Sequence, residues 1–332
     1  MKSSAIAHAN IALVKYWGKR NEELMLPYNS SISMTVSDFA AHTTVEFGEQ
    51  YEEDIFILDG IQYEKGSRVY DKYIERFLEK VRKKVGSNLR ARIKSQNNFP
   101  TGAGLASSAA GFAALATAIN GSLSLGMNKK ELSMLARLGS GSAARSVVGG
   151  FAEWKKGEKE DGVDSYVEQL VPPGHWPECR MIACVVSQEE KEVSSRSGMA
   201  RTVSTSPFYV SWLGQIEQDL NDVRRGIKGK DIVLVGKTAQ RNCLKMHALM
   251  LSTSPPLVYW GPATLRVIKK CLEWQKERDC FFTIDAGPQV KIICLERDSE
   301  EIAERCALIK GVEEVKVLEP GEGSRIVDDH LF

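Results

Sequence analysis

The pattern of apolar positions divides the chain into a first part rich in short strands and a second part rich in helices. Thr43, Val45 and Phe47 alternate with polar neighbours, and a short apolar run at 55–58 precedes the turn dipeptide Asp59-Gly60. Both patterns predict strands, because side chains alternate between the two faces of a sheet and tight turns join neighbouring strands. Further strands are expected at 89–93, 147–154, 181–186, 281–284 and 290–295.

Apolar residues three or four positions apart predict helices, since that spacing places them on one helical face. One such stripe predicts a single helix through Trp212, Ile216, Leu220, Val223 and Ile227, and Leu265, Ile268 and Leu272 mark a later one. Other helices are expected at 69–81, 129–138 and 231–251, and one that begins after residue 106 is expected to end at Gly126. Residues 321–332 are expected to form a flexible tail. The change of pattern predicts an N-terminal lobe over 1–186 and a C-terminal lobe over 187–332, with an active site between them.

Composition narrows the classes of function. The 332 residues carry 44 Lys+Arg and 43 Asp+Glu, a formal net charge of +1, which argues against a nucleic-acid or membrane-surface binder. No apolar run approaches the roughly 20 residues that span a bilayer, and residues 1–8 lack the apolar core of a secretory signal, so a cytoplasmic protein is expected. The seven cysteines include no Cys-x-x-Cys pair, which does not support zinc. Buried free thiols are expected, and a single disulfide stays open.

Two segments rich in glycine and serine are suited to binding anions. Residues 100–108, Pro-Thr-Gly-Ala-Gly-Leu-Ala-Ser-Ser, lead directly into a predicted helix. Glycine lets a backbone approach its ligand, and a helix N-terminus offers unpaired N–H groups to phosphate. The loop has neither a Walker A ending nor dinucleotide-fold spacing, so an ordinary capped helix is an equally good interpretation. The second segment, Gly139-Ser140-Gly141-Ser142, is followed by Arg145, whose planar guanidinium suits phosphate or carboxylate.

Three weaker clusters add charge and hydroxyl groups. Residues 15–19, Lys-Tyr-Trp-Gly-Lys, end an apolar strand, and residues 194–198, Ser-Ser-Arg-Ser-Gly, offer hydroxyls and an arginine. Asp285 is the single carboxylate in the apolar stretch between two predicted strands. It suits a base or a metal ligand, although an Asp before Gly-Pro is more often a turn former.

Taken in order, these segments resemble the mevalonate diphosphate decarboxylases of the GHMP kinase superfamily. The resemblance covers nearly the whole chain and is carried by segments such as Asn10-Ile11-Ala12, 15–19, 29–33, 97–111, 136–151, 193–199, 246–248 and 283–288. It implies an α+β fold of two lobes, the first with ribosomal-S5-like βαβ topology and the second a ferredoxin-like α/β lobe, with the active-site cleft between them. It also implies ATP and Mg²⁺ as cofactors, a homodimer, and decarboxylation of 5-diphosphomevalonate to isopentenyl diphosphate, ADP, phosphate and CO2.

The resemblance also implies a role for individual residues. Asp285 matches the catalytic aspartate near the substrate's 3-hydroxyl, Arg145 the arginine that binds the substrate carboxylate, and Lys15 a lysine near the transferred phosphate. Positions that hold the substrate's diphosphate or carboxylate are matched by Tyr16, Lys19, Ser140, Ser142, Ser195 and Arg196. The nucleotide loop is matched by Pro100, Gly102, Ala103, Gly104, Leu105, Ala106, Ser107 and Ser108, of which Ser108 also contacts the triphosphate or its Mg²⁺.

Departures from the family pattern leave alternatives open. Gly102 stands where many decarboxylases have Ala, Ala144 where many have Cys or Ser, and Arg196 is typical of the bacterial enzymes. A decarboxylase acting on 5-phosphomevalonate, a GHMP small-molecule kinase and a non-catalytic nucleotide-binding regulator are therefore the competing hypotheses. The combination of Asp285, Arg145 and Lys15 argues against the last two, because neither binding nor simple phosphorylation needs all three groups.

Overall fold

The structure is a computed structural model that describes residues 1–67, 69–99, 107–187 and 191–332. The strands, in chain order, are β1 (Lys2–Val14), β2 (Lys19–Asn21), β3 (Leu26–Pro27), β4 (Ser31–Gly48), β5 (Ile55–Leu58), β6 (Ile61–Tyr63), β7 (Arg90–Asn97), β8 (Phe151–Trp154), β9 (Val167–Val171), β10 (Cys179–Val185), β11 (Phe281–Ile284), β12 (Val290–Leu295), β13 (Glu314–Leu318) and β14 (Arg325–Val327). The α-helices are α1 (Arg76–Val85), α2 (Ser107–Ser122), α3 (Lys129–Gly139), α4 (Ser195–Thr205), α5 (Tyr209–Leu213), α6 (Ile216–Gly229), α7 (Ile232–Leu251), α8 (Pro262–Trp274) and α9 (Glu296–Ala307). A π-helical turn (Tyr70–Glu75) precedes α1, and 3₁₀ turns occupy Gly141–Val147 and Pro173–His175.

The first lobe is built on a long antiparallel pair, β1 and β4. The sheet runs in the order β14-β1-β4-β7-β5-β6, and β8 and β9 extend from the first residues of β4. Alternate residues of β1 such as Ala5, Ala7 and Ala9 are fully buried, and the small side chains let the apolar helix α2 pack closely on β1 and β4. This sheet holds the residues that follow β1 beside the start of α2.

The second lobe is built on a four-stranded antiparallel sheet in the order β11-β12-β10-β13. Six of the seven cysteines lie in the apolar core between this sheet and helices α7, α8 and α9. All seven are free and buried, which confirms the expected free thiols, and no disulfide forms among them. The prediction of a two-lobed α+β fold is confirmed.

Strand pairing does not follow the division of the chain at residues 186 and 187. β10 lies before that point, yet it pairs with β12 and β13. β14 lies after it, yet it pairs with β1. The division into an N-terminal lobe over 1–186 and a C-terminal lobe over 187–332 stays a prediction.

Some predicted elements were wrong in detail. The helix predicted through Trp212 and Ile227 is two helices, α5 and α6, separated at Gly214-Gln215, although its apolar stripe is buried throughout. Helix α2 ends at Ser122 and not at Gly126. The strand predicted at 147–154 begins only at Phe151, because Val147 ends a 3₁₀ turn and residues 148–150 form a bend.

The helix predicted from Leu265, Ile268 and Leu272 is confirmed as α8; Ile268 is buried, whereas Leu265 and Leu272 are each 45% exposed. One further expectation fails for reasons of packing. The segment 321–332 is not free of the fold: β14 pairs with β1, the Leu331 N–H donates to Thr44 Oγ1 at 2.9 Å, and the Phe332 ring lies 4.4 Å from the Arg92 guanidinium. Within the described ranges, no helix has both the length and the apolar character needed to cross a bilayer.

Candidate active site

A cavity of about 550 Å³ is lined by residues from both lobes. Every predicted site residue that the structure describes lines it: Lys15, Tyr16, Lys19, Ser107, Ser108, Ser140, Ser142, Arg145, Ser195, Arg196 and Asp285. The predicted loop residues Pro100, Gly102, Ala103, Gly104, Leu105 and Ala106 lie outside the described residues. The cavity thus collects groups that are as far apart in sequence as Lys15 and Asp285.

Asp285 lies between two buried ammonium groups. It follows β11, and its Oδ1 accepts a hydrogen bond from Lys15 Nζ at 2.7 Å. Its Oδ2 lies 3.3 Å from Lys291 Nζ, on β12. Both lysine side chains are almost fully buried, whereas the Asp285 side chain is 28% exposed. The carboxylate is therefore held from one side and open to the cavity on the other.

The charges around Asp285 decide its protonation. Burial by itself would raise the pKa of Asp285, but the attraction of Lys15 and Lys291 outweighs burial and holds that pKa well below its usual value. Burial is the largest influence on Lys291 and lowers its pKa, while the Asp285 charge opposes that change. Asp285 is consequently a carboxylate at any ordinary pH, and a strong hydrogen-bond acceptor.

Arg145 lies in a pocket of neutral oxygen atoms. Its Nε donates to Asn10 Oδ1 and to Ser33 Oγ, each at 3.0 Å, and its Nη1 donates to Ser31 Oγ at 2.6 Å. Burial lowers the pKa of Arg145 to about 10, and the charge of Asp285 opposes the shift. Among the described residues no carboxylate hydrogen-bonds to this guanidinium, so its charge is directed to whatever enters the cavity.

Hydroxyl groups line the wall between α2, the 3₁₀ turn and α4. Ser108 Oγ lies 3.4 Å from Ser140 Oγ, which lies 3.2 Å from Ser142 Oγ. α4 begins at Ser195 after the N-cap residue Ser194, whose side chain accepts from the Ser197 N–H at 3.2 Å. Two helix N-termini therefore open on the cavity beside these hydroxyls, an arrangement that favours bound anions.

Further cations surround the same wall. Lys19 Nζ lies 2.5 Å from Glu22 Oε2, and burial lowers the pKa of Lys19 although Glu22 opposes the shift. Lys191 donates to Ser195 Oγ at 3.1 Å, and Arg196 donates to the Gly139 carbonyl at 3.3 Å.

Tyr16 supplies a buried hydroxyl without a partner. Tyr16 lines the cavity, and its buried Oη makes no hydrogen bond to any residue that the structure describes. Burial raises the pKa of this phenol. An unsatisfied buried hydroxyl is costly, so a ligand oxygen that pairs with it would be favoured.

Several functional residues were missed in the sequence. Lys291 is one, and its signal is a single lysine within an otherwise apolar strand. The segments that contain Asn10, Ser31 and Ser33 were noted, but their contact with Arg145 was not. An apolar arm of the cavity was also missed; it is lined by Phe56, Leu58, Tyr63, Val69, Ile74 and Leu115.

The described residues contain no group of three or more His, Cys, Asp or Glu that could hold a metal ion. Ser107 and Ser108 offer hydroxyl oxygens at the start of α2. Mg²⁺ in nucleotide sites is held by few protein groups and mostly by phosphate oxygens and water. This donor set therefore fits a Mg²⁺ carried by a phosphate ligand and does not fit a dedicated protein-bound metal.

Comparisons with known proteins agree with this chemistry. A family model for the diphosphomevalonate decarboxylase-like N-terminal domain matches residues 7–167, and one for the mevalonate 5-diphosphate decarboxylase C-terminal domain matches residues 181–317. The diphosphomevalonate decarboxylase mvd1 of Aspergillus fumigatus is 39% identical over 326 residues, which cover 93% of this chain and 81% of that protein.

Solved structures are similar over the whole length. The mevalonate diphosphate decarboxylase of Staphylococcus aureus superposes with a TM-score of 0.93 at 38% identity, covering 98% of each chain. A structure of MDDEF in complex with MVAPP, AMPPCP and magnesium superposes with a TM-score of 0.91 at 42% identity, covering 99% of each chain. From these matches, which extend through both lobes and the cavity between them, the chain belongs to the diphosphomevalonate decarboxylase family.

Proposed function

We propose that this protein catalyses the ATP-dependent decarboxylation of 5-diphosphomevalonate to isopentenyl diphosphate, ADP, phosphate and CO2. The observation that supports this most is that Asp285 and Arg145 line one cavity together with Lys15. The carboxylate of Asp285, the guanidinium of Arg145 and the ammonium of Lys15 match the three groups that react. These are a hydroxyl to be activated, a carboxylate to be held and a phosphoryl group to be transferred.

Asp285 orients the attacking hydroxyl. The tertiary 3-hydroxyl of the substrate is a poor leaving group, so it is first phosphorylated by ATP. Asp285 accepts a hydrogen bond from that hydroxyl through the side of its carboxylate that is open to the cavity. Because Lys15 and Lys291 keep its pKa low, Asp285 is a weak base, and its main role is to orient the hydroxyl and accept the proton late in the transfer. Lys15 offsets negative charge on the transferred phosphoryl group.

Arg145 acts on the second half of the reaction. Loss of the new phosphate builds positive charge at C3, and the carboxylate then leaves as CO2 and its electron pair forms the double bond. Arg145 binds that carboxylate, and Asn10, Ser31 and Ser33 hold its guanidinium in one orientation. Because these three side chains are neutral, the full charge of Arg145 serves the substrate.

The remaining predicted residues hold the phosphates. The diphosphate is bound by the Tyr16 hydroxyl, the cations Lys19 and Arg196, and the hydroxyls of Ser140, Ser142 and Ser195. The apolar arm accommodates the base of ATP, and the residues before α2 bind its phosphates. Mg²⁺ on those phosphates would neutralise charge during the transfer, with Ser108 at hand as a ligand.

One assay tests the function. The protein is incubated with ATP, Mg²⁺ and either 5-diphosphomevalonate or 5-phosphomevalonate, and CO2 and ADP are measured. Equal amounts of both products from the diphosphate, with little from the monophosphate, are expected. Turnover of the monophosphate alone would favour that substrate, ADP without CO2 would indicate a kinase, and neither product would indicate a binding protein.

The variant Asp285→Asn tests the central residue. The amide keeps the size of the side chain but removes the charge that pairs with Lys15 and Lys291. We expect the rate of CO2 release to fall by orders of magnitude while the variant still binds ATP. Near-normal turnover would remove Asp285 from the mechanism.

We further propose a homodimer located in the cytoplasm, with an N-terminal lobe over residues 1–186 and a C-terminal lobe over residues 187–332. The resemblance to the family supports the dimer, and the seven free thiols fit a reducing compartment. Light scattering at several concentrations would test the dimer, cell fractionation the location, and limited proteolysis near residue 187 the division into lobes.

A further inference from the structure

The two charged groups at the centre of the site come from different sheets. Lys15 directly follows β1 of the first lobe, and Asp285 directly follows β11 of the second. Their contact of 2.7 Å therefore joins the lobes, and a small shift of one sheet against the other would break it. A link that both sheets share is needed to keep this distance constant.

Helix α7 provides such a link. It packs against both β1 and β11. Asn242, at the middle of α7, is fully buried, and its Oδ1 accepts a hydrogen bond from the backbone N–H of Lys15 at 2.8 Å. Its Nδ2 donates to Asp219 Oδ2 at 2.8 Å, and Asp219 is in turn held by Arg241 at 2.8 Å. The amide of Asn242 thus has one fixed orientation, with its oxygen on Lys15.

Gln240, on the same helix, holds the other segment. Its Oε1 accepts a hydrogen bond from the backbone N–H of Phe282, on β11, at 3.2 Å. Phe282 lies three residues before Asp285 on the same strand-to-turn segment. α7 therefore hydrogen-bonds to the backbone on both sides of the Lys15–Asp285 pair.

We propose that Asn242 and Gln240 are positioning residues, and that through them α7 sets the distance between Lys15 and Asp285. The inference rests on the proposed function. Neither residue lines the cavity. Their loss therefore changes how the catalytic groups face each other, and leaves the groups that bind substrate in place.

The variant Asn242→Leu tests the inference. Leucine has a similar size but cannot accept the Lys15 N–H. We expect kcat to fall about 10- to 100-fold, because misplacement of a catalytic group by about 1 Å has effects of this order. KM for ATP and for 5-diphosphomevalonate is expected to change less than about threefold. In the pH profile of kcat, the acid limb, where kcat falls as the pH is lowered, is expected to move to higher pH. The reason is that Asp285 loses part of the attraction of Lys15.

An exchange of side chains provides the rescue. Asn242→Asp alone sets two carboxylates against each other and is expected to be as slow as Asn242→Leu. Asn242→Asp combined with Asp219→Asn restores an acceptor for the Lys15 N–H and a donor–acceptor pair on the other side. This double variant is expected to recover most of kcat. Leu249→Ala, a change at another buried residue of α7 that does not line the cavity, is the control for lost stability and is expected to keep kcat.

The possible results separate the inference from the proposed function. If Asn242→Leu keeps the wild-type kcat and acid limb while its melting temperature falls as in Leu249→Ala, the inference is overturned and the decarboxylase stands. If wild type releases no CO2, the proposed function fails. The crystal structure of Asn242→Leu then decides the inference, because a Lys15–Asp285 distance that stays at 2.7 Å overturns it and a longer one supports it.

Discussion

Replacing Lys291 with Met removes one of the two cations that contact the Asp285 carboxylate. Methionine fills a similar volume in β12, and Lys15 keeps its own contact with Oδ1. The variant therefore changes the charge beside Asp285 and leaves the shape of the cavity nearly unchanged. It also tests whether Asp285 works as a carboxylate that two cations keep ionised.

The size of the effect follows from the distance. At 3.3 Å, opposite unit charges attract by about 5 kcal/mol at an effective dielectric constant of ~20. When the Lys291 ammonium is absent, water that enters beside Asp285 and a shift of Lys15 toward the carboxylate recover part of this energy. We expect a net cost of ionising Asp285 on the order of 2 kcal/mol, enough to change its ionisation constant more than tenfold.

The assay is the pH dependence of kcat for CO2 release. Loss of Lys291 raises the pKa of Asp285 toward its usual value, so the carboxylate is protonated at a higher pH and the acid limb moves upward. Lys291→Arg retains the charge and is the matched control, with an acid limb close to that of wild type. An acid limb that is identical in wild type and Lys291→Met would refute the role that we assign to this pair of cations.

Three other predictions concern different parts of the molecule. Arg145→Ala is expected to lower kcat by about 10² or more, and a rise of KM alone would show that Arg145 only binds. Burial lowers the pKa of His247 to about 3, so between pH 6.5 and 3 the unfolded chain protonates this histidine and the folded protein does not. From pH 7.5 to 5.5, the free energy of unfolding measured by urea titration should therefore fall by about 1.4 kcal/mol more in wild type than in His247→Gln. Arg224→Met leaves the fully buried Glu153 carboxylate with Lys155 as its remaining ion-pair partner among the described residues. The free energy of unfolding in urea should fall by about 2–3 kcal/mol while kcat stays unchanged, and an unchanged stability would contradict this prediction.

The charged and hydroxyl-bearing site residues that were predicted could be found because each belongs to a short motif whose order along the chain matches one family. Asp285, Arg145 and Lys15 were found in this way, and the structure brings all three to one cavity. The single lysine in the apolar strand β12 marked Lys291 as unusual but did not reveal its partner, because every residue of β12 up to Cys294 is buried. A strand that is buried on both faces has no alternation to show which side chains point toward a neighbouring carboxylate.

Other errors arise where distant parts of the chain decide a local choice. The helix α8 was predicted correctly, but packing on the sheet selects the face with Val267 and Cys271 and leaves Leu265 exposed. The segment 321–332 looked like a tail because its glycines and charges suit a mobile chain. Its order comes from partners near the start of the sequence, such as Thr44, and no pattern within twelve residues can reveal them.

The pairing of Ser4 with Val327 also bears on how the protein matures during translation. At Ser4–Ile6, one side of β1 stays without its neighbour until residues 325–327 have left the ribosome. A nascent first lobe would therefore expose an unpaired strand margin, which is the kind of surface that recruits other chains or chaperones. Nascent chains truncated before β14 should accordingly aggregate more readily than those that include it.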